Sequence, residues 1–177
     1  YRLLSREGGA GLVCTEMVSS RALVHGNEKT RAQLRTHRDE GEVSMQLFGN
    51  DPEVMADAAR IIVELGASLV DINMGCPVKK IVKTESGSAL LRFPDRAAEI
   101  VSAMVRAVDK PVTAKIRAGW GHVDLTGVVV FVRKLEAAGV AAISIHGRTR
   151  NQAFSGKADW SVIAAVKEAV AVPVIGN

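Results

Sequence analysis

Only two cysteines occur, Cys14 and Cys76, too few for a disulfide framework and in keeping with a reducing compartment, the cytoplasm. No C-x-x-C or H-x-x-x-H spacing is present, and His25, His37 and His122 stand in polar, loop-like or helix-edge surroundings, so no metal is expected. No G-x-G-x-x-G follows an early apolar run, which weakens a dinucleotide-binding open sheet. No run approaches the ~18 consecutive apolar residues of a membrane helix, so no membrane partner is expected. What remains is an ordinary globular composition: 47% hydrophobic and 24% charged over 177 residues, enough for one domain with a sizeable core, and unlike a disordered tail or a collagen-like repeat. The net charge of +4 tolerates a polyanionic partner without demanding one.

Short apolar runs alternate with helical stretches. The runs are Leu12–Thr15, Val43–Phe48, Leu69–Met74, Val112–Arg117, Ala141–His146 and Val172–Gly176. Between them, Met55, Ala58, Ala59, Ile62 and Leu65 form a helical stripe behind an Asp51 cap and Pro52, stopped by Gly66. Ala97, Ile100, Val101, Met104, Val105 and Val108 form a second behind Pro94, and Val128, Phe131, Val132 and Leu135 a third, ended by Gly139. Trp160, Ile163, Val166 and Val170 form a fourth behind Asp159. Strand and helix alternating without hairpin signals predict an α/β protein with a parallel sheet, either doubly wound or a (β/α)8 barrel.

Parallel strands covered on both faces normally read as continuous Val, Ile and Leu. These instead carry a polar residue near each C-terminal end: Gln46, Asn73, Lys115, His146 and Asn177. Side-chain alternation puts Asp71 on the face of Asn73, Thr113 with Lys115 and Arg117, and Ser144 with His146. Each such group left unsatisfied in a dry core costs about 1–3 kcal/mol. A ligand at the C-terminal mouth of a barrel accounts for all five; mutual satisfaction, for instance Asp71 with Lys115, is the alternative. On the barrel reading Tyr1–Gly9 is the tail of the first helix. Residues 1–177 are then a partial (β/α)8 TIM barrel covering about strands 2 to 7, with the first and last strands outside it, and not expected to be active alone.

Asn73-Met74-Gly75-Cys76-Pro77 ends the third apolar run. Gly75 is expected to permit an unusual backbone turn and Pro77 to stiffen the residue pair after it. Cys76 is thereby presented where barrel enzymes keep catalytic groups, as a nucleophile, a metal ligand or a proton donor. A nucleophile needs a base, and His146 on another strand end is within reach in principle. Cys14, inside an apolar run, reads as a small buried hydrophobe.

Asn73 to Pro77, with Lys79, Lys80 and Gly87-Ser88-Ala89-Leu90-Leu91, resembles the signature of the tRNA-dihydrouridine synthases. So do Lys115-Ile116-Arg117-Ala118-Gly119-Trp120 and His146-Gly147-Arg148-Thr149-Arg150 with Gln152, Gly156, Ala158 and Trp160. The resemblance runs from about Gly11 to Asn177 and is greatest to the bacterial B-type (NifR3-like) subgroup. It implies an FMN-binding barrel that reduces a uridine in the D-loop region of tRNA to 5,6-dihydrouridine, with NADPH as electron source. Hydride passes from reduced FMN to C6, and Cys76 protonates C5 from the other face; a thiol has a proton to give near neutral pH. By matching position, Gln46 and Lys115 contact the flavin ring, His146 lies against the cofactor, and Asn177 lies near its ribityl or phosphate end. Asn73 hydrogen-bonds the flipped-out uracil, and Arg148 serves the substrate or the cofactor phosphate. Lys79 and Lys80, with Lys83 and Arg92, grip RNA phosphates. Trp120 either stacks on a base or packs beneath a loop.

The resemblance also implies a C-terminal helical tRNA-binding domain beyond Asn177. Glu85-Ser86 departs from the small or basic residues expected there. Two other readings stand beside it: another FMN barrel of the dihydroorotate or dihydropyrimidine dehydrogenase type, and an RNA-binding barrel that has lost its chemistry.

Overall fold

A computed structural model describes every residue from Tyr1 to Asn177. The strands are β1 (Val13–Cys14), β2 (Val18–Ser19), β3 (Val43–Phe48), β4 (Leu69–Met74), β5 (Val112–Arg117), β6 (Ala142–His146) and β7 (Val174–Gly176). The helices are α1 (Arg2–Glu7), α2 (Ser20–Val24), α3 (Glu28–Gln33), α4 (Pro52–Glu64), α5 (Lys79–Val82), α6 (Pro94–Ala107), α7 (Leu125–Ala137) and α8 (Trp160–Ala169). Every strand pairing is parallel, in the order β1-β3-β4-β5-β6-β7, with β2 also on β3. The sheet is an open, curled arc of a (β/α) barrel.

The first expected strand is broken in two. Cys14 pairs with Ser44 but Val18 with Leu47, so Thr15, Glu16 and Met17 stand opposite only Met45 and Gln46. That extra residue is a β-bulge, which bends the strand and re-aims its side chains. Thr15 seals it: its N–H donates to the Ser44 carbonyl at 2.9 Å, and its Oγ1 accepts the Gln46 N–H at 3.2 Å.

Local chemistry sets the helix starts. Asp51 accepts the N–H groups of Glu53 and Val54 ahead of Pro52, Asp124 that of Gly127, and Asp159 that of Ser161. The outward strand residues Met45, Leu47, Val70, Ile72, Ala114, Ile116, Ile143 and Ile145 are buried beneath the helical stripes of Met55, Ile62, Ile100, Met104, Phe131 and Leu135. Each fully buried aliphatic of this layer contributes roughly 1.5–3 kcal/mol. In α8 the buried stripe is Val162, Ile163 and Val166, while Trp160, expected within it, opens the helix and is 65% exposed. Cys14 is likewise not the buried hydrophobe expected: register turns Val13 toward the helices and Cys14 to the opposite, polar face, where it is exposed. No helix is long and apolar enough to cross a membrane.

The other face of the sheet carries Ser44, Gln46, Asp71, Asn73, Thr113, Lys115, Arg117, Ser144 and His146. Barrel interiors usually hold Val, Ile and Leu at such positions. This one is polar from strand to strand.

Candidate active site

Register aligns the polar residues in tiers. Gln46 pairs with Asp71 and Asp71 with Thr113; Asn73 pairs with Lys115 and Lys115 with Ser144; Arg117 pairs with His146. A cavity of about 340 Å³ at the C-terminal strand ends is lined by Gln46, Asn73, Lys115, His146 and Asn177 together, and by Gly75, Cys76, Pro77, Arg117 and Phe154. The bulge residues Thr15, Glu16 and Met17 close one side. A larger hollow of about 940 Å³ lies among the outer ends of α4, α6 and α7, lined by surface charges such as the Asp95–Lys134 pair, away from every strand-end polar group.

The cavity floor is a hydrogen-bond chain. Asp71 accepts from Thr113 Oγ1 and Gln46 Nε2, both at 2.5 Å; Gln46 Oε1 accepts from Asn73 Nδ2 at 2.9 Å. Burial pushes the Asp71 carboxyl up from its ordinary range, opposed by those two donors and by Lys115. Burial also pushes the Lys115 ammonium down, with Asp71 opposing. The two are not in contact: Asp71 spends its oxygens on Thr113 and Gln46, and the half-buried Lys115 donates to no protein group. Mutual satisfaction therefore covers Asp71, Gln46 and Asn73 and leaves Lys115 open toward the cavity.

Asn73 also builds the loop that carries Cys76. Its Oδ1 accepts the N–H groups of Gly75 at 3.2 Å and Cys76 at 2.8 Å, an Asx turn. The unusual backbone turn expected of Gly75 is not there: it is not among the positive-φ glycines, and a Cβ on it would meet only ordinary contacts at 3.5 Å. The turn comes from the Asn73 side chain instead. The left-handed glycine is Gly87 (φ 61), where a Cβ would lie 2.9 Å from the Cys76 carbonyl oxygen. The next N–H, of Ser88, donates to that same oxygen at 3.1 Å. Gly87→Ala is expected to cost about 1–3 kcal/mol of stability and to shift Cys76. A lower melting temperature with faster alkylation of Cys76, which is 9% exposed, would show both effects; a wild-type melting temperature and alkylation rate would deny them.

Arg117 ties this loop to the next. Its buried guanidinium donates from Nε to the Gly75 carbonyl at 2.8 Å, and from Nη1 to the carbonyls of Thr149 and Ala153 at 3.1 and 3.0 Å. It also lies 6.0 Å from the ring centroid of Phe154, which is 81% exposed. His146 Nδ1 is 3.1 Å from the Asn177 carbonyl oxygen. Burial pushes its imidazole down, the Asn177 carbonyl opposing, and the nearby cations Arg117, Lys115 and Arg148 add to the effect. No hydrogen bond joins His146 to the Cys76 sulfur, so the nucleophile reading lacks its base.

A Dihydrouridine synthase (Dus) profile matches residues 1–177. The chain belongs to the dihydrouridine synthase family. It is 46% identical over 177 residues to tRNA-dihydrouridine synthase B of Pseudomonas aeruginosa, which covers 100% of this chain and 53% of that protein. Identity to tRNA-dihydrouridine synthase B of Escherichia coli K12 is 47% over 178 residues, covering 100% and 55%. These relatives place it with the B-type members, and the chain spans about half the length of the curated relatives it matches. Among solved structures, a Burkholderia cenocepacia protein described as a lyase/mutase superposes with a TM-score of 0.64 at 20% identity, covering 99% of this chain and 63% of that one. Phosphonopyruvate hydrolase in complex with oxalate and Mg++ gives 0.61 at 16%, covering 99% and 71%. At such identities these two show the fold alone.

Within this chain, the structure separates residues that the sequence grouped. Arg148 does not line the cavity. Its Nε donates to the Ser155 and Gly156 carbonyls at 3.1 and 3.2 Å and its Nη2 to Gly156 at 2.7 Å, closing its own loop. The arginine in the cavity is Arg117, which the sequence marks by its strand face shared with Lys115 and by its place in the Lys115–Trp120 stretch, without assigning it a role. Lys79 and Lys80 are exposed on α5; Lys80 lines a neighbouring hollow of about 850 Å³ with Arg21 and Lys83 rather than the cavity of Cys76. Glu85, in the loop after α5, adopts a left-handed backbone (φ 53) that glycine takes more easily.

Proposed function

We propose that this chain carries the reducing centre of a flavin-dependent tRNA-dihydrouridine synthase, with FMN as bound cofactor, NADPH as electron source and a D-loop-region uridine as substrate, acting in the cytoplasm. The observation that carries the reading is one cavity shared by two unspent groups. Lys115 presents an ammonium with no protein partner, and Cys76 a thiol with none.

The donor set fits a flavin. Lys115 would stabilise the negative charge of a reduced pyrimidine edge. Gln46 keeps one amide proton free beside it, since its other proton and its oxygen are engaged by Asp71 and Asn73. His146, its proton disfavoured by burial and the surrounding cations, offers a wall without adding charge, and Asn177 would meet the ribityl or phosphate end. A flavin held there supplies the hydride added at uracil C6.

The rest is the work of this chain. The Cys76 S–H bond breaks and its proton forms the C–H bond at C5, completing addition across the double bond and leaving a thiolate for solvent to reprotonate. Asn73 holds that thiol in place through two backbone N–H groups and has one amide proton left for a uracil carbonyl. Because the target base must leave its stack to enter the cavity, Lys79 and Lys80 on the adjoining surface would hold the flanking phosphates.

The direct test is to incubate the natural full-length protein with NADPH and unmodified tRNA, and separately with free pyrimidines. Dihydrouridine in the tRNA alone supports the reading, whereas reduction of free pyrimidines alone overturns it in favour of a small-molecule dehydrogenase. Lys115→Ala is expected to weaken flavin binding at least ~10-fold, since a charge-assisted contact is worth roughly 1.5–3 kcal/mol. Equilibrium dialysis of FMN measures this. Unchanged affinity together with an unchanged rate of flavin reduction would remove Lys115 from the cofactor site.

A further inference from the structure

Trp120, in the loop after β5, is flanked by two arginines from other loops. The Arg92 guanidinium lies 5.1 Å and that of Arg150 4.8 Å from its ring centroid. Arg92 ends the short 3-10 segment Gly87–Arg92, which packs on β4 and β5, and Arg150 belongs to the loop after β6. The cluster is assembled on the rim from three separate crossings, on the side of the sheet where Cys76 lies.

Its framework is fixed by the backbone. The Arg150 N–H donates to the Gly119 carbonyl at 2.9 Å and the Asn151 N–H to that of Trp120 at 3.1 Å. Gly119 is left-handed (φ 147), and a Cβ there would collide with the His122 carbonyl oxygen. Trp120 is therefore held in place without its ring being buried.

The charges are not balanced. Neither Arg92 nor Arg150 forms an ion pair; Arg150 Nη1 meets only the amide oxygen of Asn151, and its Nε is buried without any partner. Two guanidinium groups gathered on one ring repel each other, and stacking on the aromatic offsets part of that cost. An anion placed between the two forks would remove the remainder, and planar guanidinium forks match phosphate oxygens. The ring itself is occupied by the arginines, so it serves them rather than a stacked base.

We propose that Arg92, Trp120 and Arg150 form a preorganised site for a phosphodiester of the RNA substrate, outside the cavity of Cys76. This rests on the RNA reading given above. RNA is the occupant the position favours. The cluster is an open rim feature with Arg92 exposed, suited to a strand running past the cavity mouth, whose phosphates recur along its length.

The test is the salt dependence of binding of an unmodified tRNA transcript to the natural full-length protein. Arg92→Gln and Arg150→Gln are each expected to weaken binding several-fold and to lower the slope of log Kd against log salt by about 1. Trp120→Leu should reproduce most of the loss by releasing Arg150 and loosening Arg92, which keeps only the Phe93 ring at 5.3 Å, while Trp120→Phe keeps a stacking face and most of the binding. In protein labelled with 5-fluorotryptophan, the Trp120 fluorine resonance, identified by its absence in Trp120→Phe, should shift on adding the transcript. A wild-type slope in the double Arg→Gln variant, or a resonance that does not move, overturns the site. If the KM for NADPH rises in the double variant while the tRNA slope is unchanged, the anion is the electron donor's phosphate and the RNA assignment is wrong. These failures leave dihydrouridine formation by the wild-type protein intact, whereas absence of that activity would overturn the reading on which the site depends.

Discussion

Cys76→Ala in the natural full-length protein is expected to lower dihydrouridine formation by at least ~100-fold, within the range that a positioned acid supplies, while flavin stays bound and is still reduced by NADPH. The loop should survive the change. Cys76 is held through its backbone, with its N–H on Asn73 and its carbonyl on the Ser88 N–H, and its sulfur hydrogen-bonds to nothing whose partner would be orphaned. The defect should fall on the second half-reaction alone. Single-turnover mixing of reduced protein with tRNA, followed by nucleoside analysis, separates the two steps. Undiminished product would remove Cys76 from its role, and loss of flavin would show that the side chain serves the cofactor site instead.

Arg117→Met should be the most damaging change that leaves every group assigned to the chemistry in place. Methionine fills much of the volume but donates nothing, leaving the carbonyls of Gly75, Thr149 and Ala153 short of a donor. Buried carbonyls left this way cost about 1–3 kcal/mol each, and the sum is moderated because the loops can open to water. The catalytic effect comes through Gly75, the residue before Cys76; a displacement of about 1 Å at a reacting group costs on the order of 100-fold. Arg117 is thus a positioning residue, and its loss should lower kcat well beyond any change in the KM for tRNA. Arg117→Lys keeps the charge but not the fork that reaches three carbonyls, so it should recover stability more than kcat. Alkylation of Cys76 provides a separate readout, accelerated in Arg117→Met as the loop comes loose. Wild-type kcat and alkylation rate in Arg117→Met would reduce Arg117 to packing.

Much of this arrangement was legible in the sequence because parallel strands impose strict parity. Once the apolar runs were aligned, Gln46, Asn73, Lys115 and His146 had to share a face, in three successive tiers near the strand ends, and the cavity gathers them with Asn177. Helix starts at Asp51 and Asp159 were readable for a similar reason, since capping is decided by the next three residues.

What was not legible depends on contacts distant in the chain. The bulge at Thr15–Met17 arises from a mismatch of three residues against two on β3, which neither strand reveals alone. The left-handed glycine supporting Cys76 is Gly87 rather than the adjacent Gly75, because a side chain, Asn73, had already made the turn. Arg117 and Arg148 both follow lysine- or histidine-bearing strand ends, and only the course of the loop after β6 decides that one enters the cavity while the other closes its own loop.

The central claim is that the polar face of this sheet is a flavin site with Lys115 at its centre. The visible absorption spectrum of the purified natural full-length protein, before and after denaturation to release any cofactor, tests it most directly. The account predicts flavin bands in near-equimolar amount with the protein, strongly reduced in Lys115→Ala. A colourless wild-type protein that takes up no added FMN would contradict it.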